Sequence, residues 1–339
     1  MRAVHGALAI AALAVTAAFC RPAAAQAYAD RDEVRDFVAE MVKRHGFRSQ
    51  YLERLFGQAR YDPTVVDLMT PPPPEAKSWQ NYRATFVSQR RIDGGVDFWR
   101  RHSNALKRAA SVYGVPPEIV VAIIGVETFY GRNTGDFRVI DSLATLAFDY
   151  PRRADFFRAE LEQFLLYTRE SRLDATSVRG SYAGAIGLPQ FMPGSIRRYG
   201  VDFDRDGRRD LAGSADDAIG SVANYLKRHG WIAKAPIAVP AAVQGERYRL
   251  AADDFEPVYR AGELRNLDVE FDSTIHDDTP AGLVELVSPD VPAEYRVGLE
   301  NFYVLTRYNR SSFYATAVLE LAEAVKAAYQ ASIHTKATK

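Results

Sequence analysis

The stretch PPEIVVAIIGVETFYG, residues 116–131, constrains the fold more than any other part of the chain. Pro116 and Pro117 suit a helix start, where missing N–H groups cost nothing, and Glu118 brings acidic charge to the first turn. Ile119, Val120, Ile123, Ile124 and Val126 then leave almost no polar face, so the helix must lie inside a packed core. Glu127 ends it on the side of Ile123 and Ile124. Desolvation there penalises the anion and raises the carboxyl pKa, which makes a general acid able to work near neutral pH. A lone glutamate at a helix end more often turns outward or pairs with an arginine, here Arg132, so the neighbouring sequence has to carry the choice.

The chain opens with Arg2, a mostly apolar stretch from Ala7 to Phe19, and then RPAAAQ, with small residues at a signal-peptidase spacing. This reads as an export signal over 1–25. No later segment approaches the roughly 20 apolar residues of a membrane span, which predicts a soluble mature protein. Cys20 follows the bulky Phe19, which argues against lipidation, and cleavage after Ala25 would remove this only cysteine. Packing rather than disulfides must then supply stability. The 43 basic and 43 acidic side chains offer no electrostatic footprint for nucleic acid. Tyr and Phe number 18 each, more than a small core needs, and aromatics in a groove can stack on sugar faces.

Periodicity predicts a mainly α fold of the α+β kind. Helices are expected at Asp32–His45, Tyr51–Gln58, Val96–Tyr113, Asp141–Phe148, Arg153–Arg169, Asp216–His229 and Ser311–Ala328, with Pro71–Pro74 extended over the surface. Between Pro236 and Pro292 short β-prone pieces alternate with Gly, Pro and Asp. The expected organisation is a helical core over 28–235, a small partly β subdomain over 236–298, a C-terminal segment over 299–330 that completes the core, and a flexible tail at 331–339.

Two further stretches bear on chemistry. In SVRGSYAGAIGLPQFMPGS, residues 177–195, three glycines let the backbone approach a ligand while Ser181, Tyr182 and Gln190 supply hydrogen-bonding groups. A Gly-rich turn leading into a helix fits equally well. In ENFYVLTRYNRSSFYATAV, Tyr308 and Asn309 precede a helix that Asn309 or Ser311 could simply cap.

Taken together, VYGVPPEIVVAIIGVET, ATLAFDYPRRADFF, GSYAGAIGLPQFMP, DAIGSVANYLKRHGW and NFYVLTRYN resemble, in order, the lytic murein transglycosylase B family of membrane-bound and soluble cell-wall enzymes. The resemblance runs from about Trp79 to Tyr329. It implies a lysozyme-like helical catalytic core with a small β-containing subdomain and a peptidoglycan cleft. It also implies that Glu127 is the catalytic acid/base, that Ser181, Gln190, Tyr308 and Asn309 lie near the cleavage point, and that Tyr82, Arg152 and Arg153 line the glycan or peptide path. Phe156 stands where a relative carries a cleft tyrosine, so a hydroxyl is lost there while stacking survives.

Most glycosidases use two carboxylates. One suffices if Glu127 protonates the glycosidic oxygen and then deprotonates the muramoyl 6-hydroxyl, giving a 1,6-anhydromuramoyl end without water, as the resemblance implies. A hydrolytic muramidase would need a second carboxylate, for which Asp149 and Asp155 are candidates. A non-catalytic peptidoglycan-binding scaffold would not need Glu127. The partner expected is the peptidoglycan glycan strand, with cell-wall synthases or divisome proteins left open, and the expected compartment is the periplasm. No cofactor is expected for catalysis. A structural Ca2+ is suggested by DFDRDGRRDLAGSADD, which opens like an EF-hand with Asp202, Asp204, Asp206 and Gly207. Gly213 replaces the usual closing glutamate, so the Arg208 carbonyl and Asp216 are expected to complete the set, against the plainer reading of an Asp-Gly turn with a solvated rim.

Overall fold

In the computed structural model, which describes residues 28–70, 78–252, 255–289 and 291–337, the apolar run is a helix from Pro117 to Thr128, enclosed on all sides. The export segment with Cys20 and the Pro71–Pro74 run lie outside the described residues.

The helices are α1 (Asp32–His45), α2 (Ser49–Gln58), α3 (Pro63–Leu68), α4 (Trp79–Phe86), α5 (Gln89–Arg101), α6 (Ser103–Tyr113) and α7 (Pro117–Thr128). Strand β1 (Phe137–Arg138) leads into α8 (Val139–Phe148), a 3-10 turn at Pro151–Arg153 and α9 (Ala154–Glu170). Strand β2 (Arg179–Gly180), α10 (Pro193–Tyr199) and α11 (Ala215–Arg228) follow. The sheet region holds β3 (Ala238–Val243), β4 (Tyr259–Arg260), α12 (Ala261–Asn266), β5 (Val269–Phe271), β6 (Pro280–Ser288) and β7 (Val291–Gly298). Helices α13 (Glu300–Tyr308) and α14 (Ser312–Ala337) return to the core.

Helix α7 packs against α5, α6, α11 and α14, and Val120 to Ile124 are fully buried. Close approach of α5 and α7 depends on Tyr130, whose hydroxyl donates to the Arg91 carbonyl at 2.8 Å. A Cβ at Gly95 or at Gly125 would each come within 2.6 Å of that hydroxyl oxygen, so both helices need glycine there.

Three elements depart from expectation. The helix expected at Val96–Tyr113 starts at Gln89 and breaks at His102 (φ −113°, ψ 26°) into α5 and α6. His102 packs on Phe98 at 4.6 Å between ring centroids, and its ring lies 3.9 Å from Asp216, tertiary contacts that periodicity cannot report. Residues 300–308 form α13, so Tyr308 ends one helix before α14 begins. The expected flexible tail continues α14 to Ala337, because AAYQASIHTKA contains no Gly or Pro to stop it.

The five strands form an antiparallel sheet ordered β4-β6-β7-β3-β5. β6 explains how it is attached. Ala281 and Leu283 face a small apolar cluster with Leu264 and Val269, while Val284 and Leu286 point the other way into the helical core. Burying each of those two side chains stabilises by about 1.5–3 kcal/mol, so one strand ties the two parts together.

Candidate active site

Glu127 sits in the last turn of α7, where the helix ends sharply. Phe129, Tyr130 and Gly131 are consecutive residues with φ of 51°, 62° and 86°, a left-handed run that costs energy at the first two. Thr128 compensates: its hydroxyl donates to the Leu188 carbonyl at 2.9 Å and accepts the Gly131 N–H at 3.0 Å. The chain leaving Glu127 is thereby fastened to the Gly-rich segment that faces it.

The Glu127 carboxylate accepts a 2.7 Å hydrogen bond from the Tyr314 hydroxyl. Burial pushes its pKa up to about 7, and the Tyr314 bond, which favours the anion, offsets part of that rise. No second carboxylate among the described residues contributes. The outward alternative is not realised, since the Arg132 guanidinium lies 4.8 Å from the Phe129 ring instead. Tyr314 and Tyr308 stack with centroids 6.2 Å apart at 13°. Both phenols are held well above their usual range, first by burial and then by the Glu127 charge.

The Gly-rich segment makes the opposite wall. β1 and β2 pair antiparallel, Phe137 with Gly180, and Gly135 packs so tightly there that a Cβ would meet the Gly180 carbonyl oxygen at 2.2 Å. Ser181 closes the turn with its hydroxyl accepting the Ala185 N–H at 3.0 Å. Gln190 has φ 48°, and its side-chain amide donates to the carbonyls of Thr134 at 3.1 Å and Gly187 at 2.9 Å. With the N–H groups committed, its amide oxygen is what it can offer a ligand. Tyr308 donates to the Pro189 carbonyl at 2.6 Å, joining this wall to α13.

Tyr82 is near enough to Glu127 for the carboxylate charge, after burial, to help push its phenol up to about 12. Its ring lies among Trp79, Phe86 and Phe313, beside a groove of about 770 Å3 lined by Asn81, Thr85, Leu283 and Glu285. Asn309 is exposed and extended at the end of α13. Ser311, not Asn309, gives the side-chain cap of α14, accepting the Tyr314 N–H at 3.3 Å. Arg152 and Arg153 are exposed on the 3-10 turn, and Arg153 stacks 4.3 Å from the ring of Phe156, itself 40% exposed. Of the candidate second carboxylates, Asp149 is engaged by both Arg31 guanidinium nitrogens and the Tyr28 hydroxyl, and Asp155 is exposed at the start of α9.

Sequence reasoning missed Tyr314 and Thr128. Tyr314 follows the cap Ser311 by one helical turn, and only the fold brings it to Glu127 across a separation of 187 residues.

The acidic loop adjoins the same wall, for Leu188 donates to the Leu211 carbonyl at 2.9 Å. The Asp206 N–H reaches Asp202 and Asp204 at 3.1 Å each, and Gly207, with φ 88°, donates to Asp202 at 2.9 Å. The Asp206 carboxylate accepts the Arg208 N–H. Asp216 points to His102 and Arg108, 3.9 Å from each. Its neighbour Asp217 is the third carboxylate, within 4.8 Å of those of Asp202 and Asp204. One helical step of about 100° separates the two aspartates, and the Ser214 cap at the start of α11 turns Asp217 inward. Asp217 is buried and accepts the N–H groups of Phe203, Asp204 and Asp210, so it organises the loop backbone. Two open carboxylates, a third behind them and a glycine at the tight turn suit a hard divalent cation.

An acid that titrates near neutrality, at the end of a central helix and beside an open groove, belongs to a lysozyme-like enzyme that cleaves glycans. The model of the transglycosylase SLT domain matches residues 29–323. Membrane-bound lytic murein transglycosylase B of Escherichia coli K12 is 41% identical over 309 residues, covering 88% of this chain and 84% of its own. The catenated lytic transglycosylase SltB1 of Pseudomonas aeruginosa superimposes with a TM-score of 0.85 at 47% identity, covering 89% of this chain and 99% of that one. Escherichia coli Slt35 in complex with calcium gives 0.82 at 42% identity, covering 89% and 95%. The chain belongs to the SLT-domain lytic transglycosylases and is a lyase acting on peptidoglycan. Among the described residues no single helix is long and apolar enough to cross a membrane.

Proposed function

We propose that Glu127 alone performs both proton transfers in a non-hydrolytic cleavage of the MurNAc–GlcNAc β-1,4 bond. The observation that carries this is a Glu127 carboxyl at the end of a buried helix with the Tyr314 hydroxyl as its hydrogen-bond partner at 2.7 Å; burial pushes its pKa up to about 7, and among the described residues no other carboxylate contributes. Near neutral pH a large fraction of the side chain is protonated and can give its proton to the glycosidic oxygen as the C1–O bond breaks. The resulting carboxylate, steadied by Tyr314, takes the proton of the muramoyl C6 hydroxyl as that oxygen bonds to C1. The ring closes to the 1,6-anhydro sugar, Glu127 ends protonated, and no water is consumed. Engagement of Asp149 by Arg31 and Tyr28 supports this reading over the two-carboxylate muramidase.

Ser181, Gln190, Tyr308 and Asn309 are the groups proposed to hold the sugar on either side of Glu127, with Tyr82 stacking in the groove. Arg152, Arg153 and Phe156 are assigned to a more distant part of the strand path. Escherichia coli Slt35 is a relative solved in complex with calcium, which supports that cation as the candidate for the acidic loop here. In this chain Asp202 and Asp204, with Asp217 behind them in place of Asp216, would hold the ion, joined from the expected set by Asp206 and the Arg208 carbonyl, and its chemistry would be to neutralise close carboxylates and stiffen the wall through Leu188. The small-residue cleavage pattern at 23–25 supports export to the periplasm.

Mass spectrometry of digested peptidoglycan tests the reaction. Anhydromuramoyl ends are expected, and ordinary reducing ends would reassign the enzyme as a hydrolase. Glu127→Gln should bind glycan and lose about a thousandfold in turnover.

A further inference from the structure

Three guanidiniums converge on one ring beside the acid. Those of Arg90, Arg91 and Arg132 lie 5.2, 5.1 and 4.8 Å from the centroid of Phe129, two residues beyond Glu127. Arg91 is engaged structurally, since it donates to the Gly125 carbonyl at 2.7 Å, where the C-terminal end of α7 attracts positive charge, and packs on Phe86. Arg90 and Arg132 are exposed, and among the described residues neither has a carboxylate partner. Cation–π attraction favours each only weakly at an exposed site, but like charges gathered on one ring repel. An anion bound at this cluster would relieve that repulsion, and the guanidinium fork matches a carboxylate.

The cluster borders both walls of the cleft. Arg91 is close enough to Tyr82 for the two to influence each other electrostatically, and Arg132 is two residues before Thr134, whose carbonyl holds Gln190. A strand lying over Glu127 would pass this rim. Neutral hydroxyls and acetamides would not answer its charge; the carboxylates of the muramoyl 3-substituent would.

We propose that Arg90 and Arg132, held against Phe129, bind a carboxylate carried by the muramoyl side chain, either the free lactyl group of a peptide-free strand or a carboxylate of a stem peptide. This rests on the peptidoglycan-cleaving reading of Glu127. The test is equilibrium binding in the Glu127→Gln background, with and without Arg90→Ala/Arg132→Ala. Three probes are used: peptide-free strands, the same strands with the lactyl carboxylates methyl-esterified, and peptide-bearing strands. The double substitution should weaken binding of a carboxylate-bearing probe about tenfold relative to the neutral ester. Loss on the peptide-free acid identifies the lactyl group, and loss confined to the peptide-bearing strand identifies the stem. Arg90→Lys/Arg132→Lys should recover part of the loss, since charge remains without the fork. Equal change on all three probes, or none, overturns the assignment. Product analysis of the wild-type enzyme reports separately on the reaction, so the two readings fail independently.

Discussion

At the residue scale the chemistry turns on how one carboxyl is solvated. In the unfolded chain Glu127 titrates near 4.5, and in the fold near 7, so the folded form binds more protons between those values. Stability should therefore fall as pH rises through that window, by about 3 kcal/mol in total, a cost absent in Glu127→Gln. Denaturant titrations of both proteins at pH 4 and pH 8 should show the variant gaining relative stability at the higher pH. Tyr314 sets the remainder of the balance. Tyr314→Phe removes a hydrogen bond that favours the anion, so the alkaline limb of the pH–rate profile should move to higher pH. Turnover at the optimum should fall about tenfold, because the carboxyl loses the contact that orients it. An unmoved limb would assign Tyr314 to packing alone.

At the scale of elements, two features hold the site in place. The left-handed exit from α7 is secured by Thr128, and Thr128→Val should lose the bonds to Leu188 and Gly131. Leaving the buried Leu188 carbonyl unpaired should cost about 1–3 kcal/mol and lower turnover, read as a shift in melting temperature alongside kcat. Strand β6 is the other. Leu286→Ala should cost about 2–5 kcal/mol by opening a cavity between sheet and helices, measured by chemical denaturation. Both features lie on segments the sequence marked as informative, yet neither contact follows from periodicity. The β-prone stretch was legible; that alternate faces of β6 serve two cores was not, since both faces are apolar. The single helix expected over Val96–Tyr113 failed for a related reason, its break at His102 resting on tertiary contacts.

At the scale of the molecule, the acidic loop, the Gly-rich wall and α7 are linked in sequence: Asp217 accepts the Asp210 N–H, the adjacent Leu211 carbonyl accepts the Leu188 N–H, and the Leu188 carbonyl accepts the Thr128 hydroxyl. Calcium at a hundredfold excess over its Kd should stabilise the fold by about 2.7 kcal/mol and raise the melting temperature by about 5 °C. Asp202→Ala should abolish that rise in a thermal melt with and without chelator. Absence of the rise in the wild-type chain would leave the loop as a solvated Asp-Gly turn.

From the sequence alone came the buried helix, the unusual glutamate at its end, the Gly-rich wall and the acidic loop, because apolar periodicity, glycine spacing and EF-hand spacing are properties of neighbouring residues. Tertiary structure alone decided that Tyr314 rather than Arg132 partners Glu127, that Asp217 rather than Asp216 joins the acidic cluster, and that Asp149 is consumed by Arg31. Those choices depend on which side chains meet across more than a hundred residues or on the rotation of a helix, and a pKa is fixed only when burial and partners are known together.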